Sequence, residues 1–224
     1  MNPRIHLPRA LLATLALGAL LGCSSVNSLV DPLAVDPSLG YNPVNYRGDA
    51  RLPADLHRVA VLPVHGGTVA GPESAAALDR VVLAALQQQQ RFEVVPISRA
   101  DCHRVFGATD FSSVEALPHG FLEELARRYA VDAVLFVDLT VYRPYQPIAL
   151  GFRSKLAAIH DVRMVWAFDE LFSAEDPRLR RTIRSRQRHA VESSRVDPTP
   201  AVLQSPAGFG AVAAELMFRT LPPR

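Results

Sequence analysis

The alternation of apolar and polar residues predicts strands and helices in a regular order through the first half of the chain. Runs rich in β-branched residues predict buried strands, and apolar residues spaced by three and four predict amphipathic helices. The predicted order is strand, helix, strand, helix, strand, at residues 58–64, 72–86, 92–96, 118–129 and 133–137. The last of these strands is apolar on both faces, which indicates a central position in a sheet.

The second half predicts a meander followed by helices. Residues 152–156 and 162–168 alternate apolar and polar side chains, with a turn near His160 and Asp161. Two helices follow, at about 177–192 and 206–220. We therefore expect an α/β fold, a single domain over 57–224 with a mixed central sheet of about five strands flanked by helices.

The N-terminus has the pattern of a secretory signal. Residues 1–22 contain Arg4 and Arg9, no acidic residue, and an apolar run from Ala10 to Leu21. Twelve residues rise only about 18 Å as a helix, too little to cross a hydrocarbon core of about 30 Å. We therefore predict that residues 1–22 are a signal peptide.

The end of this run, Leu20-Leu21-Gly22-Cys23, resembles the lipobox of bacterial lipoproteins. The resemblance implies cleavage after Gly22 and acyl chains on Cys23, although the family prefers a small residue at the position of Leu21. It also implies retention in the outer membrane, because Ser24 replaces the Asp that retains such proteins in the inner membrane. The alternatives are an ordinary signal peptide with a chance Cys, or a buried apolar helix.

The pattern of residues 23–56 predicts a lipidated N-terminus followed by a tether. Prolines at 32, 37, 43 and 53 interrupt every apolar period. For the second half of this segment an ordered arm packed along the domain is an equal alternative. Tyr41 and Tyr46, its only aromatic residues, would be the anchors of such an arm.

Composition excludes several classes of function. The chain has one Lys, Lys155, which follows no Gly-rich turn, so a P-loop is excluded. Cleavage removes two Arg and leaves 22 basic and 22 acidic residues, so charge gives no argument for binding nucleic acid. With Cys23 acylated, Cys102 remains as the only thiol, and we expect no internal disulfide.

Few residues are candidates for catalysis or for metal binding. The loop His65–Gly71 begins like the oxyanion loop of lipases, but the chain lacks Gly-x-Ser-x-Gly, and a Gly turn with a solvated His is expected. No pair of His residues has metal-ligand spacing, and Asp138 suits a hydrogen-bonded carboxylate at a strand end. We expect Asp169 and Glu170 to face water. We therefore predict no catalytic residue, no metal and no cofactor besides the acyl chains on Cys23.

The stretch Arg178–Arg195 contains seven Arg against one acid, Glu192. Arg180, Arg184 and Arg188 share one helical face by their i,i+4 spacing, while apolar residues between them can face the core. One interpretation is a solvated face. The other is a docking surface for anionic lipid headgroups, peptidoglycan or an acidic protein.

Three core segments, 58–64, 91–99 and 129–135, resemble a group of bacterial envelope lipoproteins. The group includes the penicillin-binding-protein activator LpoB, the curli secretion lipoprotein CsgG and the N-terminal domain of TolB. The resemblance covers residues 57–172 and implies a non-enzymatic role in the envelope. A curli-type channel is disfavoured, because Pro144 and Pro147 interrupt the nearest candidate membrane hairpin.

The sequence thus predicts an outer-membrane lipoprotein with a non-catalytic periplasmic domain, acting as an envelope accessory or scaffold protein. Its expected partners are the membrane, through the lipid anchor, and an envelope protein or peptidoglycan; the oligomeric state stays open. The alternative function is a small-ligand binder or hydrolase that uses the His65–Gly71 loop.

Overall fold

The structure is a computed structural model that describes residues 40–190 and 199–224, with side chains for 40–186 and 201–224. The predicted signal peptide, Gly22 and Cys23 lie outside the described residues, as does the segment that follows to residue 39. The side chain of Arg188 and the whole of Arg195 also lie outside them.

Six strands and six helices make up the described part of the chain. The strands are β1 (Tyr46–Gly48), β2 (Arg58–Val61), β3 (Glu93–Pro96), β4 (Ala133–Arg143), β5 (Ala149–Ala158) and β6 (Met164–Ser173). The helices are α1 (Pro72–Gln87), α2 (Arg99–Phe106), α3 (Phe121–Tyr129), α4 (Pro177–Ala190), α5 (Thr199–Gln204) and α6 (Pro206–Phe218). Among these residues, no helix combines the length and apolarity needed to cross a bilayer.

The strands form one mixed sheet in the order β1-β6-β5-β4-β2-β3. Strand β2 runs parallel to both β3 and β4, while β4, β5 and β6 form an antiparallel meander. Strand β4 lies inside the sheet, where its apolar side chains are covered on both faces, as the sequence predicted. The α/β fold with a mixed sheet flanked by helices is confirmed.

One face of the sheet packs against α1, α6 and the inner side of α4. Trp166, Phe168 and Phe172 of β6 fill this core together with Phe209 of α6. Helices α1 and α6 approach closely at Gly210, where an added Cβ would lie 2.9 Å from Leu78 Cδ2. Each large apolar side chain buried here contributes about 1.5–3 kcal/mol to folding.

The other face is covered by α2 and α3, which lie over β2 and β4. Phe111 and Phe121 pack there with ring centroids 4.7 Å apart, next to Phe136 of β4. Cys102 of α2 is fully buried in the same cluster and forms no disulfide. The two faces therefore have separate apolar cores on either side of one sheet.

The segment before β2 is an ordered arm. Strand β1 pairs antiparallel with β6 and adds the sixth strand to the sheet. Leu52 and Leu56 are buried, and Leu52 N donates to Pro223 O at 2.8 Å. Of the two interpretations of residues 41–56, the packed arm is the one that the structure shows.

Two short helices differ from the sequence expectation. Helix α2 was not expected, although Ser98 caps it by accepting a hydrogen bond from Asp101 N at 3.0 Å. Helix α5, six residues long, separates the two predicted C-terminal helices. Both helices are too short to show a clear apolar period in the sequence.

Candidate functional site

Helix α4 begins at Pro177, and the side chain of Asp176 caps its N-terminus. Asp176 Oδ1 accepts hydrogen bonds from Arg178 N at 2.7 Å and Leu179 N at 3.2 Å, and Pro177 occupies the first turn. Leu179 and Ile183 are buried against the sheet, as expected. These two residues fix the inner side of the helix, so residues on its opposite side face outward.

The outward side of α4 carries arginines that have no ion pair within the described residues. Arg180 and Arg184, which the sequence placed on one face, are exposed, and Arg178 and Arg181 are exposed beside them. These four residues are called the basic face of α4 below. The i,i+4 spacing used on the sequence missed Arg178 and Arg181, which lie on neighbouring rows of the same helix. Arg186 is different, since it pairs with Glu215 of α6.

The charge of the basic face is only partly offset by nearby acids. Asp176 is used as the helix cap, and the exposed Glu175 precedes it. Four guanidinium groups within seven residues repel one another and produce a positive potential, screened over about 8 Å at physiological salt. Such a surface attracts anionic partners, and salt weakens the attraction.

The N-terminal arm meets α4 directly. Tyr41 N donates to Thr182 Oγ1 on α4 at 2.7 Å, and Tyr41 Oη donates to Glu170 Oε1 at 2.7 Å. Burial and the adjacent Glu170 carboxylate raise the pKa of Tyr41. Glu170 also accepts from Val44 N at 2.9 Å, while Asp169 pairs with Arg153. The expectation that both residues face water is wrong for Glu170, whose carboxylate is occupied by the arm. Asp169 pairs with Arg153, but its side chain is 43% exposed.

The loop after β2 holds an ion network rather than a solvated histidine. His65 Nδ1 lies 2.6 Å from Asp110 Oδ1, and the other oxygen of Asp110 accepts from Arg99 Nη1 at 2.7 Å. Arg99 Nε donates to Asp79 Oδ2 at 2.8 Å, and Arg99 Nη2 donates to the Val64 carbonyl at 2.6 Å. His65, Asp79, Arg99 and Asp110 are called the carboxyl-edge network below.

The carboxyl-edge network connects four segments of the fold. Asp79 belongs to α1, Arg99 to α2, His65 to the loop after β2, and Asp110 to the loop between α2 and α3. The side chain of Arg99 is only 19 % exposed, and both of its carboxylate partners are bonded to it. A His bonded to a carboxylate can act as a general base, but here that carboxylate is also held by an arginine. The network therefore acts as a clamp, in the sense that its hydrogen bonds hold these four segments together.

A buried carboxylate lies next to this network. Asp138 is 4 % exposed and accepts from Ser113 N at 3.0 Å and Ser113 Oγ at 2.7 Å. It is hydrogen-bonded, as expected, but it lies within β4 rather than at a strand end. Lys155 Nζ donates to the Ser113 carbonyl at 2.8 Å. The two residues together fix the loop between α2 and α3 to the sheet.

An apolar groove of about 530 Å³ adjoins the carboxyl-edge network between α1, α2 and the end of β2. Its polar lining includes Asp79 and Arg99, which are bonded to each other. Cys102, one turn along α2 from Arg99, has its pKa raised to about 12, chiefly by burial and then by Asp110. A thiol with that pKa stays protonated at neutral pH and is a poor nucleophile. Across the described residues, no group of three His, Cys, Asp or Glu could hold a metal ion.

Comparisons with known proteins find matches among solved structures at low sequence identity. No family model matches the chain, and no curated protein matches it in sequence. A PelC dodecamer from Paraburkholderia phytofirmans has a TM-score of 0.46 at 12% identity, covering 80% of this chain and 99% of that one.

Two further solved structures match part of the chain. Lipoprotein GNA1162 from Neisseria meningitidis has a TM-score of 0.41 at 17% identity, over 54% of this chain and 85% of that one. The LpoB C-terminal domain from Salmonella enterica has a TM-score of 0.33 at 15% identity, over 52% and 82%.

Proposed function

We propose that this protein is a lipid-anchored envelope protein whose α/β domain binds other envelope components through the basic face of α4. In this proposal the domain is non-catalytic, faces the periplasm and is anchored in the outer membrane by acyl chains on Cys23. Its role is that of an accessory or scaffold protein. The observation that carries the proposal is the set of four exposed arginines on α4.

The basic face of α4 differs from the titratable groups elsewhere in the domain, and this difference supports a binding role. The titratable groups at the carboxyl edge of the sheet contact one another and fix loops, so they serve the fold. An exposed arginine that forms no ion pair adds little to stability. A concentration of such residues on one face of one helix is available for a partner of opposite charge.

The anchor is tested by Cys23→Ser in the full chain. Each buried CH₂ contributes about 0.8 kcal/mol, so several acyl chains outweigh any plausible surface contact. We expect the variant to leave the outer-membrane fraction almost completely and to lack the mass of the acyl chains. A variant that fractionates and migrates like the wild type would show that the lipobox interpretation is wrong.

The binding surface is tested by chemical crosslinking in intact cells with the lipidated full chain. Arg178, Arg180 and Arg184 are changed together to Gln. The matched control changes Arg104, Arg127 and Arg128 to Gln; these residues lie on α2 and α3, on the opposite side of the sheet, and pair with acids. Both variants lose three positive charges. We expect crosslinked complexes to decrease only for the α4 variant, and an equal decrease in both would contradict the proposal.

A further inference from the structure

The place where the arm meets the domain defines the side from which the lipid anchor extends. The described chain begins at Gly40, and the amide of the next residue, Tyr41, is bonded to Thr182 in the middle of α4. Val44 and Tyr41 are both held by Glu170, so this end of the arm is fixed on β6 and α4. The chain that leads to Cys23 therefore leaves the domain beside the basic face of α4.

The length of that chain restricts how the domain can lie on a membrane. Seventeen peptide steps separate Cys23 from Gly40. They span at most about 60 Å when fully extended. A compact unit of this size is about 40 Å across, so a path over its surface from α4 to the opposite side is about 60 Å long. Turning α3 toward the bilayer would use nearly the whole length, whereas turning α4 toward it requires almost none.

The charge of α4 complements an anionic bilayer at the same place. Basic residues next to a membrane are attracted to anionic headgroups, and the attraction falls off within a Debye length. The anchor keeps α4 near the surface, so the arginines need to supply only orientation and a short-range attraction. The two observations, chain exit and charge, are independent and point to the same side of the domain.

We infer that the basic face of α4 lies on the headgroups of anionic phospholipids and orients the domain with α4 toward the bilayer and α3 away from it. This inference rests on the proposed function, because it takes the lipid anchor as given and names the partner of the same surface. The inferred partner of the basic face is the phospholipid headgroup, and the competing partners are peptidoglycan and an acidic protein.

The orientation is tested on the acylated full chain in vesicles, with one fluorophore at a time. Glu175→Cys places a thiol just before α4, and Glu123→Cys places one on α3 at the opposite side of the sheet. Both residues are exposed, and both changes remove one negative charge. Cys102 is fully buried with a raised pKa, so the introduced thiol is the one that reacts.

Two quenchers then report where each fluorophore lies. A nitroxide on the lipid headgroup quenches fluorophores near the bilayer surface, and acrylamide quenches those in water. The vesicles contain phosphatidylethanolamine and phosphatidylglycerol at about 7:3, with pure phosphatidylcholine as the neutral control. We expect stronger lipid quenching at position 175 than at 123, only in the anionic vesicles and only at low salt.

The strength of docking follows from the number of charges. Changing Arg178, Arg180 and Arg184 to Gln is expected to lower the ratio of docked to undocked domain roughly a hundredfold. Equal quenching at the two positions, or quenching at 175 that persists in phosphatidylcholine and at high salt, would overturn the inference. If that result is combined with loss of crosslinks in the α4 variant in cells, the proposed function stands and the occupant is another anionic envelope component. If Cys23→Ser stays in the membrane, the proposed function itself fails.

Discussion

Arg99 at the carboxyl edge of the sheet lies between two carboxylates and a carbonyl, whereas four arginines of α4 face solvent without an ion pair among the described residues. The same side chain therefore occurs in two opposite settings. In the first setting the guanidinium donates four hydrogen bonds to fixed acceptors of the fold. In the second the donors are left for water or for a partner.

The difference separates residues that stabilise the fold from residues available for binding. A charge that is mostly buried is tolerated only when it is paired, so Arg99 and its partners depend on one another. A solvated charge has no such dependence, and like charges on one helix face weaken the helix slightly. Folding gains little from the basic face of α4, which is consistent with the proposed binding role.

The largest effect on stability is expected from Arg99→Met. The change leaves Asp79 and Asp110 without their shared cation in a partly buried site, which costs about 2–4 kcal/mol. Urea unfolding monitored by circular dichroism measures the loss. Arg104→Met on the same helix is the control, because its ion pair with Asp101 is exposed and contributes little. If the two variants were equally stable, the network would not be the clamp described above.

Cys102→Ala tests the apolar side of the same helix and should cost about 0.5–3 kcal/mol, typical of a core substitution. Since burial raises the thiol pKa from 9.0 to about 12, the thiol favours its protonated form in the folded state. Its contribution to stability is present below pH 9 and is lost as the pH rises toward 12. Unfolding measured from pH 8 to 10 should show this loss in the wild type and less of it in Cys102→Ala.

The same thiol gives a redox prediction. Because Cys102 is buried and unpaired, the melting temperature of the wild type should not change with a reducing agent. A shift on reduction would instead indicate a disulfide between two chains, and the burial of Cys102 would have to be reconsidered.

Tyr41→Phe tests whether the arm is held on α4. Removing the hydroxyl breaks its bond to the Glu170 carboxylate in a half-buried site, and we expect a loss of about 1–2 kcal/mol in unfolding free energy. Tyr46→Phe is the matched control, because Tyr46 on β1 is 48% exposed. Equal stability of the two variants would mean that the Tyr41 hydroxyl does not fix the arm.

The smallest effect, and one of opposite sign, is expected on α4. Changing Arg178, Arg180 and Arg184 to Gln removes repulsion between neighbouring turns and should leave stability unchanged or raise it by about 0.5 kcal/mol. Thermal unfolding at low salt measures the change. A clear destabilisation would indicate that these arginines stabilise the fold, and the contrast with Arg99 would disappear.

Much of the fold could be predicted because its elements carry their own periodicity. Strand β4 is apolar on both faces, and α1 repeats its buried residues with helical spacing. Strand β1 could not be identified in this way, since its three exposed residues carry no pattern and are defined by pairing with β6. Helix α2 could have been found from Ser98 followed by Asp101, a capping signal that is weak without an apolar run.

The site was partly predictable for a similar reason. The exposure of Arg180 and Arg184 follows from the spacing of Leu179 and Ile183 on one helix. The carboxyl-edge network could not be derived, because Asp79, Arg99 and Asp110 lie on different segments and meet only when α1, α2 and the following loop pack together. The contact of Tyr41 with Thr182 is of the same kind, since its partners are 141 positions apart in the sequence.

Site-specific photo-crosslinking in intact cells tests most directly whether the α4 face is the contact surface of the domain. A photoreactive amino acid replaces Arg181 on α4 in one variant of the lipidated full chain and Arg127 on α3 in the other. Both positions are exposed, and each replacement removes one positive charge. If α4 is the contact surface, position 181 gives lipid or envelope adducts and position 127 gives few or none. Equal adducts from the two positions, or adducts only from position 127, would contradict it.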